Sequence, residues 1–370
     1  MPDALGNPAV LRPGIRCGVP RDVLGQRRRQ VAGDNHLSDR YLADRRVSAR
    51  TADNYRSAYR AFASWAAQKN LSVSANHLDR NLRKYLSHLF FEGGAPFDAR
   101  YALHGAIFVR ELPRAATTLP LSRSTLAGFS SVVPEHSRDP MPEEAKNLIA
   151  ADLLENEGTL EFAAAGALVT SFDGFLRPSE VLSLESTDLN VLRGRRRRVG
   201  LPTVSVTLRP LGTHVAGFDP PQRTKAGEHD DSVVFGSSSG TPGGEEWVAH
   251  FLSQLKPKRR GKLFPITLNQ YEVLVKRSSE RLGLGRLKCT PHCARHGAAS
   301  LAYATGRMSL RDIQKRGRWK NPSSVRTYEK SAKLTRQIAR LSDAQRCRAA
   351  ALSTALPSSF VSHTRAQITV

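Results

Sequence analysis

Residues 291–300 read PHCARHGAAS, and the fold of the chain turns on how that stretch is arranged. An ordinary helix spends such positions on solvent or core, yet two histidines and an arginine fall here within five residues. Pro291 suits the first turn of a helix, because the N–H it lacks is one the first turn leaves unpaired, and Thr290 stands where a side-chain cap belongs. His292, Arg295 and His296 then lie at i, i+3 and i+4 and share one face. Ala294, Ala298 and Leu301 form a separate apolar stripe that would hold the segment against a core. The spacing of Cys289, His292, Cys293 and His296 also invites zinc. Pro291 nevertheless leaves Cys289 outside the helix, and four ligands from one turn hardly surround an ion tetrahedrally, so no metal is expected.

The whole chain narrows the chemistry around this helix. It has 370 residues, enough for two domains with cores of their own. Fifty-six Lys+Arg face 33 Asp+Glu, a formal charge of +23, with arginine outnumbering lysine. Such an excess is the footprint of a polyanion partner, since each phosphate neutralised releases condensed counterions. No run approaches the ~18 apolar residues of a membrane span, and the amino end has no apolar signal region, so the expected place of action is intracellular. Four cysteines, Cys17, Cys289, Cys293 and Cys347, are too few and too scattered for a disulfide framework.

Moving outward, residues 1–45 mix Gly, Pro, Arg and Asp without a sustained period and read as a basic, disordered tail. Residues 46–135 read as a small all-helical domain. Between Ser48 and Asn70, Tyr55, Ala58, Tyr59, Phe62, Trp65 and Ala66 follow helical spacing. A second helix follows Ser74, with Leu78, Leu82, Tyr85, Leu86, Leu89 and Phe90 inward and Gly93-Gly94 as its stop. Pro96 opens a third, and residues 121–132 supply a fourth. PEHSRDPMP at 134–142 breaks the pattern as a linker does, with 136–142 as its centre. Residues 143–335 then form a second domain: helices over Glu143–Glu155 and Thr159–Ser171, a helix after Arg177, and strands at 204–208 (VSVTL) and 232–235 (SVVF). TKAGEHDD, 224–231, reads as the turn of a hairpin, and the chain returns to helix until about residue 350, with 336–370 as a carboxyl-terminal helix and tail.

Three further places join the opening one: GFLRPSEVLSL at 174–184, TKAG at 224–227 and GRWKNPSSVRTYEK at 317–330. In order, the chain shows Arg177 with Glu180, then Lys225, then His292 with Arg295, then Trp319, then Tyr328. That ordered set resembles the tyrosine recombinase, or phage integrase, family, and the resemblance covers about residues 45–335. It implies a mainly α fold with a small β-hairpin or sheet: a helical, SAM-like core-binding domain followed by a tyrosine-recombinase-like catalytic domain. It implies site-specific recombination through a 3′-phosphotyrosyl intermediate in a mobile-element-derived protein. Its partners would be double-stranded DNA and further copies of the chain in a synaptic tetramer on DNA. No cofactor is implied, because the covalent link preserves the bond energy for rejoining.

The residue types suit that chemistry on physical grounds. Attack on a phosphodiester raises negative charge on the equatorial oxygens, so donors aimed there lower the barrier selectively. Arg177 and Arg295 fit, since guanidinium is planar, always charged and binds two oxygens at once. Tyr328 would be the nucleophile. Its free pKa of about 10 requires neighbouring positive charge, and His292 is placed to accept its proton or touch the phosphate. By resemblance, Lys225 is the general acid. Trp319 stands where histidine is commoner in the family; its indole N–H donates but exchanges no proton at neutral pH. Glu180 orients its neighbours, and His296 hydrogen-bonds within the fold.

Two basic runs flank the strands, RGRRRR at 193–198 with Arg195, Arg196, Arg197 and Arg198, and KPKRRGK at 256–262 with Lys258, Arg259 and Arg260. Either holds DNA phosphates or serves nuclear import, in which case the site of action is the nucleus rather than the nucleoid or cytoplasm. The segment from Lys333 to about Leu352 is either lent to a neighbouring protomer or caps its own domain. Two other activities share the pattern: a type IB topoisomerase, which generally has lysine where His292 stands, and an inactive, element-derived DNA-binding protein.

Overall fold

The structure is a computed structural model that describes residues 47–133, 138–192, 203–208, 232–236, 246–255, 261–326 and 331–369. The chain divides into two compact units at residues 137 and 138. As the sequence leads one to expect, the described residues are mainly helical with a small sheet of three antiparallel strands.

Among the described residues the amino unit has four helices: α1 (Ala49–Gln68), α2 (Ala75–Phe91), α3 (Pro96–Val109) and α4 (Pro120–Val132). Ser48 starts α1, its Oγ accepting from the Thr51 N–H at 3.3 Å. Phe62 and Ala66 of α1, Leu82 and Leu86 of α2, Leu103 and Ile107 of α3 and Phe129 of α4 close one core. Helix α4 obtains its cap from another helix. Its N-cap residue, Leu119, is left-handed and has no side-chain donor or acceptor. Instead Asp79 on α2 takes the Leu121 N–H on one oxygen, at 2.9 Å, and the Ser122 N–H and hydroxyl on the other, at 2.9 and 2.7 Å. A carboxylate at a helix N-terminus satisfies orphan donors and meets the positive end of the helix dipole. Asp79→Ala should therefore cost about 2 kcal/mol, read by urea denaturation of the full chain; an unchanged midpoint would remove the cap from the account.

The larger unit is built around α6 (Thr159–Asp173), which is buried on every side from Phe162 to Asp173, the mark of a core helix. Around it pack α5 (Glu143–Glu155), α7 (Pro178–Leu182), α8 (Glu246–Leu255), α9 (Leu268–Arg281) and α10 (Pro291–Ala304). The sheet runs in the order β1 (Leu189–Leu192), β2 (Thr203–Thr207), β3 (Ser232–Phe235), with Val191 opposite Val204 and Val206 opposite Val233. Helix α8 packs on it. Strand β1 has no counterpart in the sequence reading: LNVL carries a single β-branched residue, and its pairing with β2 makes it a strand. The expected hairpin turn at 224–231 lies outside the described residues.

After α10 come α11 (Leu310–Gly317), α12 (Pro322–Arg326), α13 (Ser331–Ile338) and α14 (Asp343–Thr369). Helix α14 continues well past residue 350 and through Pro357. Proline removes one backbone hydrogen bond and disfavours a helix interior. Here Leu356, Phe360 and Thr364, at i, i+4 and i+8, are all buried, and Phe360 packs against Phe162, Trp247 and Phe251. Tertiary burial therefore outweighs the local preference. Helix α14 lies along α5 and α8 of its own unit.

Helix α10 begins at Pro291 as its spacing predicts, but Thr290 does not cap it with its side chain; the hydroxyl lies 3.2 Å from Cys293 Sγ instead. Gly297 is where the chain entering the unit crosses α10. A Cβ there would overlap the Met141 backbone, whose N–H donates to the Cys293 carbonyl at 3.0 Å.

Candidate active site

The turn between α6 and α7 has an unusual backbone. Phe175 is left-handed, φ 51°, a conformation a bulky residue rarely adopts. It turns the chain so that its carbonyl faces two guanidiniums: Arg295 Nη1 donates to it at 2.7 Å and Arg318 Nη2 at 3.2 Å. Two residues on, Arg177 is the N-cap of α7, and Pro178 fixes the first turn. The Arg177 backbone N–H donates to Glu180 Oε2 at 2.7 Å, while its guanidinium pairs with Glu180 Oε1. The i, i+3 spacing of Arg177 and Glu180 is thus a capping arrangement as well as an ion pair.

Glu180 is the centre of the cluster. Besides Arg177 it meets Arg318 Nη2 at 2.7 Å and Arg295 Nη1 at 3.6 Å, both through Oε2. Its side chain is 11% exposed. Burial alone would raise its pKa, but the charges of Arg318, Arg177 and Arg295 and the Arg177 backbone bond together lower it, so the carboxylate stays ionised. Three guanidiniums on one carboxylate leave an excess of positive charge, the balance an entering phosphodiester would neutralise.

Arg295 comes from α10 and is 1% exposed. Its Nη2 donates to the Gly317 carbonyl, and its guanidinium stacks on the Trp319 ring at 4.6 Å. Trp319 follows the end of α11, and Gly317 is obligatory there because a Cβ would overlap the indole ring. The spacing of His292 and His296 brings their rings within 5.1 Å of each other, both half-buried. The structure therefore gathers Arg177, Glu180, Arg295 and Trp319 from three separated stretches, with His292 one turn before the arginine on α10 and His296 directly after it. Tyr328 and Lys225 lie outside the described residues, as do Arg195, Arg196, Arg197, Arg198, Lys258, Arg259 and Arg260. Helix α12 ends at the exposed Arg326, two positions before Tyr328.

Two arginines went unnoticed in the sequence. Arg318 shares Glu180, and Arg316 donates to the Asp173 carbonyl at 2.8 Å and the Val234 carbonyl at 3.1 Å, tying α11 to α6 and β3. Burial lowers the Arg316 pKa, opposed by Asp173 3.6 Å away. The signal was present in RGRW, where two arginines bracket a glycine two positions before the tryptophan, but an arginine at a helix end ordinarily reads as a solvated partner of the dipole. Cys289 and Cys293 are buried, burial pushing the Cys289 thiol up to about 12. Among the described residues, no group of three metal-binding side chains converges, and no helix is long and apolar enough to cross a membrane.

No family model matches the chain, and no curated protein does. Among solved structures it is similar to the Tn1549 transposon integrase in complex with transposon right end DNA, at 16% identity, over 83% of this chain and 94% of that one, with a TM-score of 0.49. It is also similar to the XerH site-specific recombinase bound to palindromic difH substrate, at 16% identity, over 70% of this chain and 71% of that one, with a TM-score of 0.46.

Proposed function

We propose that the chain is a DNA strand-cleaving and rejoining enzyme of the tyrosine recombinase type, a site-specific recombinase or integrase derived from a mobile element. The supporting observation is the meeting of Arg177 and Arg295 on Glu180, far apart in the chain yet set around one carboxylate with Trp319 against the second arginine. In the proposed reaction the Tyr328 oxygen attacks the phosphorus of a backbone phosphodiester. The bond to the 5′-oxygen breaks, and a 3′-phosphotyrosyl link forms. His292 takes the phenol proton, Lys225 supplies one to the leaving 5′-oxygen, and the arginines stabilise the charge that builds on the equatorial oxygens. The reverse sequence, with a different 5′-hydroxyl as nucleophile, rejoins the strand.

Double-stranded DNA is the substrate, recruited through the chain's +23 charge, and several protomers assemble on it as a synaptic tetramer. The enzyme works inside the cell, where chromosomal DNA is. His292, at the place where a topoisomerase of type IB generally has lysine, favours the recombinase reading. The test is incubation of the full chain with nicked suicide duplexes drawn from a random-sequence pool, followed by denaturing electrophoresis. A denaturation-resistant protein–DNA adduct is the expected product. DNA binding without any adduct would leave an inactive DNA-binding protein, and relaxation of supercoiled plasmid lacking a partner site would point to topoisomerase action.

A further inference from the structure

Arg295 and Arg318 reach Glu180 from different elements and hold the same two acceptors. Arg295 Nη1 is 2.7 Å from the Phe175 carbonyl and 3.6 Å from Glu180 Oε2; Arg318 Nη2 is 3.2 Å from that carbonyl and 2.7 Å from that carboxylate oxygen. Arg295 is also 1% exposed and spends a second donor on the Gly317 carbonyl. Both terminal nitrogens of Arg295 thus already hold a protein acceptor, and turning the guanidinium toward a phosphate draws them away from it. Were Arg295 the sole holder, that exchange would strand a buried carbonyl and weaken the pairing of a buried carboxylate, which is costly.

Arg318 is kept in place against its own backbone preference. It is left-handed, φ 53°, at the end of α11, where glycine is the residue that adopts this conformation freely. An arginine in that position implies a use for its guanidinium. We infer that Arg318 is a positioning residue, which keeps Glu180 and the Phe175 carbonyl fixed while Arg295 turns its donors from them to the phosphate. The inference rests on the proposed strand-transfer reaction and adds to it a residue outside the ordered set of motifs.

Arg318→Gly removes the guanidinium and relieves the backbone, so it separates the side chain's role from that of the fold. With a duplex that gives the adduct, the variant should keep a cooperative melt and a DNA Kd within about twofold of the parent, so that any loss lies in the chemical step rather than in binding. Its single-turnover rate of adduct formation should fall about 10²-fold, the loss that an ångström of misplacement causes. The acid limb of its rate–pH profile should also move to higher pH. Arg177 on its own turn, Arg295 from α10 and Arg318 beyond α11 together hold the Glu180 carboxyl down, and removing one of them lets it protonate earlier.

Arg318→Lys, whose single ammonium replaces a fork that spans two acceptors, should fall between the two rates. A wild-type rate and an unmoved acid limb in Arg318→Gly would overturn the inference while leaving the strand-transfer reading intact. Should Arg318→Gly lose its cooperative melt, a wild-type rate in Arg318→Lys overturns it instead. Absence of any adduct from the parent protein would sink the functional reading and this inference together.

Discussion

Tyr328→Phe should form no covalent adduct with DNA while binding it as tightly as the parent and with the same salt dependence. The substitution deletes one oxygen. If that oxygen is the attacking atom, nothing else in the set can replace it: His292 is suited to moving a proton, and Arg177 and Arg295 to holding charge. Binding, by contrast, is spread over many basic residues, each of which releases counterions, and loss of a phenol hydroxyl leaves that sum untouched. Denaturing gels measure the adduct, and a salt titration of the Kd measures the binding. Persistence of the adduct in Tyr328→Phe would move the nucleophile elsewhere and leave the arginine cluster without its proposed reaction.

Glu180→Gln should be the most disruptive single change in the larger unit, by about 3–5 kcal/mol, because it leaves buried guanidiniums without their common counter-charge. The amide can accept from one arginine, but it carries no charge for the other two. Urea denaturation with a probe in the larger unit reads this directly. The pH dependence supplies an internal check. The Glu180 pKa is lowered in the folded state, so its contribution is complete above the unfolded value of about 4.3 and disappears as pH falls through the lower folded value. The parent should thus lose stability on acidification below that range, and Glu180→Gln should lose less. Equal stabilities at neutral pH would mean that the three arginines do not depend on this carboxylate.

Much of this arrangement was legible in the sequence, for identifiable reasons. Helices α1 and α2 announce themselves because Phe62, Ala66, Leu82 and Leu86 must share one buried face. Arg177, Glu180 and Arg295 were recognisable through the ordered set of motifs and the family it resembles, since an arginine and a glutamate three apart on a helix otherwise read as a surface pair. Other features depend on partners remote in the chain. Strand β1 exists because β2 pairs with it, and α14 passes Pro357 because Phe162 and Phe251 receive Phe360. Arg318 belongs with Glu180 only through a left-handed turn that places its side chain inward. Thr290 shows the converse: the residue type is right for a cap, but its hydroxyl goes to Cys293.

Helix α14 also bears on the order in which the protein comes into being during synthesis. Its Phe360 sits in the same cluster as Phe162, so a nascent chain that has already emerged through Tyr328 still lacks a wall of the unit that carries Arg177 and Arg295. The amino unit closes its core entirely from residues before 134 and can fold as soon as it leaves the ribosome. The larger unit must wait, its apolar surfaces open to chaperones, until α14 arrives to seal them.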